Sequence, residues 1–126
     1  MNRLAAALLI LFTASSHSEE VTFARDIVPL LERHCASCHL MGTEPGSLSL
    51  HGGVAHGSLV DRPATGADML LVAPGQPEES YLLHKLRGTH LEVGGSGARM
   101  PFAAPALTKK NREAIETWIR DGANGS

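Results

Sequence analysis

Aromatic side chains are scarce in this chain of 126 residues: three Phe, one Tyr and one Trp. Large rings carry much of the buried area of a small core, so a single domain of this length is short of bulk unless something else fills it. Cysteine is scarcer still. Two residues cannot make the dense disulfide framework of a small secreted scaffold. An excess of positive charge is missing as well: 11 basic against 13 acidic residues leave a formal charge of −2, which excludes a nucleic-acid binder working by bulk charge. The longest apolar run, Leu4–Phe12, has nine residues, less than half of what spans a bilayer. Gly-x-Ser-x-Gly, phosphate-loop and His-Glu-x-x-His motifs are absent, and the carboxylates are scattered. No enzyme class is suggested, and internal repeats are lacking.

Present instead is an N-terminus with the three parts of an export signal. Arg3 is followed by the apolar run 4–12 and by the small-residue exit Thr13-Ala14-Ser15-Ser16-His17-Ser18, in which Ala14/Ser16 or Ser16/Ser18 suit a cleavage site. The reading is a cleaved signal over residues 1–18 and one domain over 19–126. The mature protein is expected to be periplasmic or otherwise extracytoplasmic, without a membrane anchor. All 13 glycines fall in the second part, an unusual amount of backbone freedom for a small domain.

Hydrophobic spacing predicts an all-α domain. Phe23, Ile27, Leu30 and Leu31 share one helix face between Thr22 and His34, with a kink or a restart near Pro29. Pro77–Arg87 reads as a second helix, with proline and Glu78/Glu79 at its start, Lys85/Arg87 at its end and Gly88 beyond. Lys109–Asp121 reads as the last, with Thr108 as N-cap, a stripe of Ala114, Ile115, Trp118 and Ile119, and Gly122 as the stop. Between Leu40 and Gly75, glycine and proline break every period. That stretch is expected to be a long glycine-rich loop with at most a brief strand pair from Leu48/Leu50 and Met69–Val72, a length odd in a compact domain unless it wraps something. Gly94–Ala98 is expected to be a flexible loop.

The chemistry centres on Cys35-Ala36-Ser37-Cys38-His39. Two thiols three positions apart can add to the two vinyl groups of one porphyrin, and the adjacent imidazole can then reach the iron. Three other chemistries are compatible with the pair: a redox dithiol, for which no thioredoxin-like βαβ unit is legible; a zinc site with another histidine, for which no second ligand pair of tight spacing exists; and a local disulfide. Haem attachment is favoured because the others leave the glycine-rich loop unexplained.

A sixth iron ligand is sought next. Met100, in Arg99-Met100-Pro101, follows His39 by 61 residues and lies beyond the Gly94–Ala98 loop; a thioether there would favour reduced iron. Met69 sits in an apolar run and reads as core, and Met41 is too close to His39 to cross to the opposite haem face. His51 and His90 are the alternatives for a bis-histidine centre. His34, His56 and His84 read as ordinary polar residues.

Five ordered blocks carry a resemblance: Phe23 through Pro29 to Cys35–His39; Ser47–Leu50; Pro74–Glu78 with Ser80–Leu82; Arg99–Pro101; and Leu107-Thr108 leading to Trp118–Ala123. Together they resemble the planctomycete-type c-type cytochrome domain, a relative of class I cytochromes c, over residues 23–123. Phe102 stands where many members have a second proline, and 53–68 is individual to this chain. The resemblance implies a small helical fold whose first and last helices cross near one haem edge. It also implies haem c on Cys35 and Cys38, His39 and Met100 as axial ligands, and single-electron transfer by Fe(III)/Fe(II) cycling. A haem-based sensor with an open or exchangeable sixth position is the alternative. Partners would be redox proteins docking weakly and transiently. Without Arg3 the balance is 10 basic to 13 acidic residues, and propionates would add negative charge, so a partner with a positive patch is expected.

Overall fold

The computed structural model describes residues 19–126; the expected signal, residues 1–18, lies outside them. The chain enters through a single π-helical turn, Phe23–Ile27, capped by Thr22, whose hydroxyl accepts from the Arg25 amide while its own amide donates to Asp26. This reciprocal arrangement satisfies donors that a helix start leaves open. The turn runs directly into α1, Val28–His34, with Pro29 in its first turn, where its missing N–H interrupts the ladder at the junction of the two. The restart near Pro29 is thus the form taken. Phe23, Ile27 and Leu31 face inward.

The middle of the chain holds a short helix that glycine density concealed. Residues Ala55–Leu59 form α2, and its two end residues, one turn apart, are wholly buried. The expected strand pair does not form between Leu48/Leu50 and Met69–Val72. The Leu50 amide bonds the His39 carbonyl, while 69–72 pairs with 60–64 and with the segment before α3 through isolated bridges: Val60 with Val72, Pro63 with Leu70 and Leu70 with Ser80. Among the described residues there is no strand.

The second expected helix is divided. Pro77–Glu79 is a 3₁₀ turn, Ser80 is extended, and α3 is Tyr81–Arg87. Ser80 causes the break. Fully buried, it holds the Ala73 amide and the Gln76 carbonyl with its hydroxyl, a local bond that competes with helix continuation. The next amide, Tyr81, goes to Leu70. Gly88, at φ +79°, ends α3. A further 3₁₀ turn, His90–Val93, follows. The last helix, α4, is Lys109–Arg120, with the Thr108 hydroxyl accepting from Asn111 and Gly122 at φ +106° beyond.

The π-helical turn and α4 close the core. Phe23 and Trp118 lie 5.0 Å apart, and the His56 ring meets Phe23 edge-on at 5.2 Å. The Trp118 indole N–H donates to the Asn124 carbonyl and His56 Nε2 to that of Ala123, both at 2.8 Å. Contact between the first and last helical elements follows the expected plan. Trp118 is held by Phe23, His56 and the C-terminal tail. Arg87 joins α3 to α4 by pairing with Glu78 and Glu116 at 2.9 and 2.8 Å. No helix among the described residues is long and apolar enough to cross a membrane.

Candidate functional site

The Cys-x-x-Cys-His motif lies at the exit of α1. The amides of Cys35 and Ala36 bond the Leu31 carbonyl, and those of Cys38 and His39 bond the Cys35 carbonyl at 3.1 and 3.0 Å. One extra turn therefore carries both thiols and the imidazole. Cys35 is half-buried against the core and Cys38 is exposed; both are free thiols.

Position and environment make this a poor redox dithiol. Reactive pairs are activated at helix N-termini, where the positive end of the dipole stabilises thiolate. Here the pair sits at the opposite end, and burial, with Cys38 nearby, pushes the Cys35 thiol up to about 11. Among the described residues no three His, Cys, Asp or Glu side chains are grouped so as to hold a metal ion by themselves. A zinc site built on this pair therefore lacks its other ligands.

His39 is held for ligation by its surroundings. Burial lowers its pKa, opposed by Glu44 and assisted by the positive charge of Lys85, which favours the neutral ring that binds metals. Its Nδ1 is buried without a hydrogen-bond partner, so this ring nitrogen is not committed to packing. Loop 40–50 folds back over it. The Met41 amide donates to the Glu44 carboxylate, the Ser47 amide to the Glu44 carbonyl, and the Leu50 amide closes on the His39 carbonyl at 2.7 Å. At the tip Gly46 has φ +92°, and a Cβ there would lie 3.8 Å from His39 Cε1.

Met100 is half-buried against the core, as are Leu48, Met69 and Cys35. Its amide bonds the Lys85 carbonyl at 2.9 Å, and the peptide to Pro101 is cis. Lys85 thus connects the two ends of the candidate site: its backbone holds Met100 and its charge is felt by His39. Sequence reasoning placed Lys85 only as a charge at a helix end. Its i+4 spacing from Tyr81 was the available signal that it shares Tyr81's face of the helix. An open cavity of about 290 Å³ beside loop 40–50 is lined by Gly46, Ser47, Arg62, Pro63 and Leu71 among others and by none of Cys35, Cys38, His39 and Met100.

These observations bear on whether haem c suits the residues present. Two free thiols and a neutral imidazole with an uncommitted ring nitrogen share one turn, and half-buried apolar side chains, Met100 among them, lie against the core. The donor set and its surroundings fit. Of the other histidines, His84 is committed to Glu78 and Thr89 and His56 to Ala123; His90, named above as an alternative ligand, holds the Gly97 carbonyl with Nε2 at 2.9 Å and, like His39, has a buried Nδ1 without a partner. His51 is half-buried.

No protein-family model matches the chain, and no curated protein matches it. Among solved structures it is similar to hydrazine synthase of Kuenenia stuttgartiensis, with a TM-score of 0.51 and 27% identity. The match covers 82% of this chain and spans 16% of the length of that one. The similarity is to a planctomycete protein and concerns one small helical part of it.

Proposed function

We propose that this chain is an exported mono-haem c-type cytochrome that carries single electrons. The observation that carries the reading is the turn Cys35–His39, in which both thiols are free and a neutral histidine with an uncommitted ring nitrogen follows directly. Cys35 and Cys38 would hold haem c through thioethers, His39 would be the proximal ligand and Met100 the distal one. Bound there, the haem supplies reversible Fe(III)/Fe(II) chemistry. The chain contributes position and environment. Loop 40–50 shields His39, the α1 exit orients the thiols, and the Lys85 carbonyl holds Met100. A thioether ligand and a nearby ammonium group both favour the lower charge of reduced iron. The similarity to part of hydrazine synthase supports a planctomycete-type helical domain. Leu40, Met41 and Phe102, which flank the two ligand positions in sequence, are exposed large apolar residues and suit a small transient docking edge for a redox protein.

The test is the absorption spectrum of protein co-expressed with a c-type haem maturation system, with haem staining on a denaturing gel and N-terminal sequencing of exported material. The expected result is haem that stays on the denatured chain, a red-end sulfur-to-iron band in the oxidised form that is lost in Met100→Ala, and a mature start near Glu19. Rapid carbon monoxide binding by the reduced wild type would favour the sensor alternative. A colourless chain with two titratable thiols ends the haem reading.

A further inference from the structure

Residues Gly94-Gly95-Ser96-Gly97-Ala98 carry every compositional mark of a slack tether, yet the structure fastens them at each step. The Gly95 amide donates to the His90 carbonyl at 2.8 Å. The Ser96 amide donates to the Tyr81 hydroxyl at 3.3 Å, and the Ser96 carbonyl accepts from Lys85 Nζ at 3.0 Å. His90 Nε2 donates to the Gly97 carbonyl at 2.9 Å, and the strap ends with the Met100 amide on the Lys85 carbonyl. Tyr81 and Lys85 stand one turn apart on the same face of α3, and Tyr81 and His90 are both buried. Lys85 grips the strap twice, with side chain and backbone.

Gly95 shows how tight the grip is. A Cβ there would come within 2.5 Å of the His90 carbonyl oxygen and 2.6 Å of the Tyr81 hydroxyl, both far inside contact distance. The obstacles are a backbone atom and a buried ring, neither of which can turn aside freely. Residue 95 is glycine because backbone and ring meet there.

We infer that Tyr81, Lys85 and His90 form a clasp that sets the position of Met100, making them positioning residues for the sixth ligand; this rests on the ligand reading given above. A sulfur atom delivered by an unfastened glycine segment would be on the iron only part of the time. The clasp makes the ligated arrangement the one that the polypeptide already prefers, by bonds that do not involve the haem.

Two variants and two readouts test it on the haem-loaded protein. Gly95→Ala forces the strap away from Tyr81, and Tyr81→Phe/Lys85→Gln removes two bonds without adding volume; Gly53→Ala, exposed and with open space around its Cβ, is the control. Both variants should keep attached haem, weaken the sulfur-to-iron band and admit carbon monoxide about tenfold faster, as a tenfold rise in the open form requires. Amide hydrogen exchange at Ser96 and Met100, whose amides donate to the Tyr81 hydroxyl and the Lys85 carbonyl, should be slow in the wild type and fast in the variants. A strap that exchanges equally in wild type and in the double variant overturns the clasp, even if Gly95→Ala fails to fold. A wild type lacking the sulfur band but showing slow exchange that the double variant abolishes retains the clasp and removes Met100 as the ligand.

Discussion

At the residue scale, the site depends on backbone conformations that only particular residues adopt without strain. Gly46 is the clearest. It lies at φ +92° where loop 40–50 passes over the His39 ring, with room for a Cβ at 3.8 Å from Cε1 but not the right backbone preference for one. Gly46→Ala should therefore lower stability by about 1–2 kcal/mol, through the left-handed backbone and not through a clash. Urea unfolding would check this, with Gly53→Ala unchanged beside it. Cys35 teaches a different lesson at the same scale. Its spacing from Cys38 is compatible with several chemistries, and the choice among them rests on its place at a helix exit and on a thiol pushed up to about 11. Sequence shows the pair; only folding shows which end of a helix it occupies.

At the element scale, helix edges explain both the successes and the misses. Lys109–Arg120 was legible because its cap, its apolar stripe and its stop signal agree. Proline, acidic start and basic end make 77–87 read as one helix, and Ser80 divides it by bonding Ala73 and Gln76 from a buried position, a side-chain bond to nearby backbone that hydrophobic spacing does not report. The short α2 escaped because two apolar residues among glycines give no measurable period. Arg87 then ties α3 to α4 through Glu116, whose carboxyl is held below its ordinary value of 4.5 by the hydrogen bond from Arg87. The folded form binds this proton less tightly than the unfolded one, so the contribution is complete above pH 4.5 and is lost as pH falls through the lowered folded value. Glu116→Gln should reduce stability at pH 7 by on the order of 1 kcal/mol, solvent screening most of the field. The gap to wild type should close in acid, as thermal unfolding across a pH series would show.

At the scale of the whole molecule, the core is mainly leucine and isoleucine with few aromatic rings, and Phe23, Trp118 and the ring of His56 meet at the contact between the entry turn and α4. On the function proposed here, the missing bulk belongs to the haem, and binding to the folded form alone contributes stability to it. Cys35→Ala/Cys38→Ala, expressed with the maturation system, should show no haem on a denaturing gel, reduced helical circular dichroism and a lower unfolding midpoint. An unchanged melting curve would remove the haem from the account of the core.

Local pattern was enough for the helical class, for the first and last helices and for the grouping of Cys35, Cys38 and His39 in one short motif, because periodicity, caps and motif spacing act over a few residues. It could not determine that a segment rich in glycine is held firm. Tyr81, Lys85 and His90 hold Gly95–Met100 by bonds between different elements, and these follow no helical or strand period that could be read along the chain. The packing of His56 against Phe23 and Trp118 and its bond to Ala123 were decided by contacts between distant residues. In both places, a buried polar or aromatic group found its partner only once the chain had closed on itself.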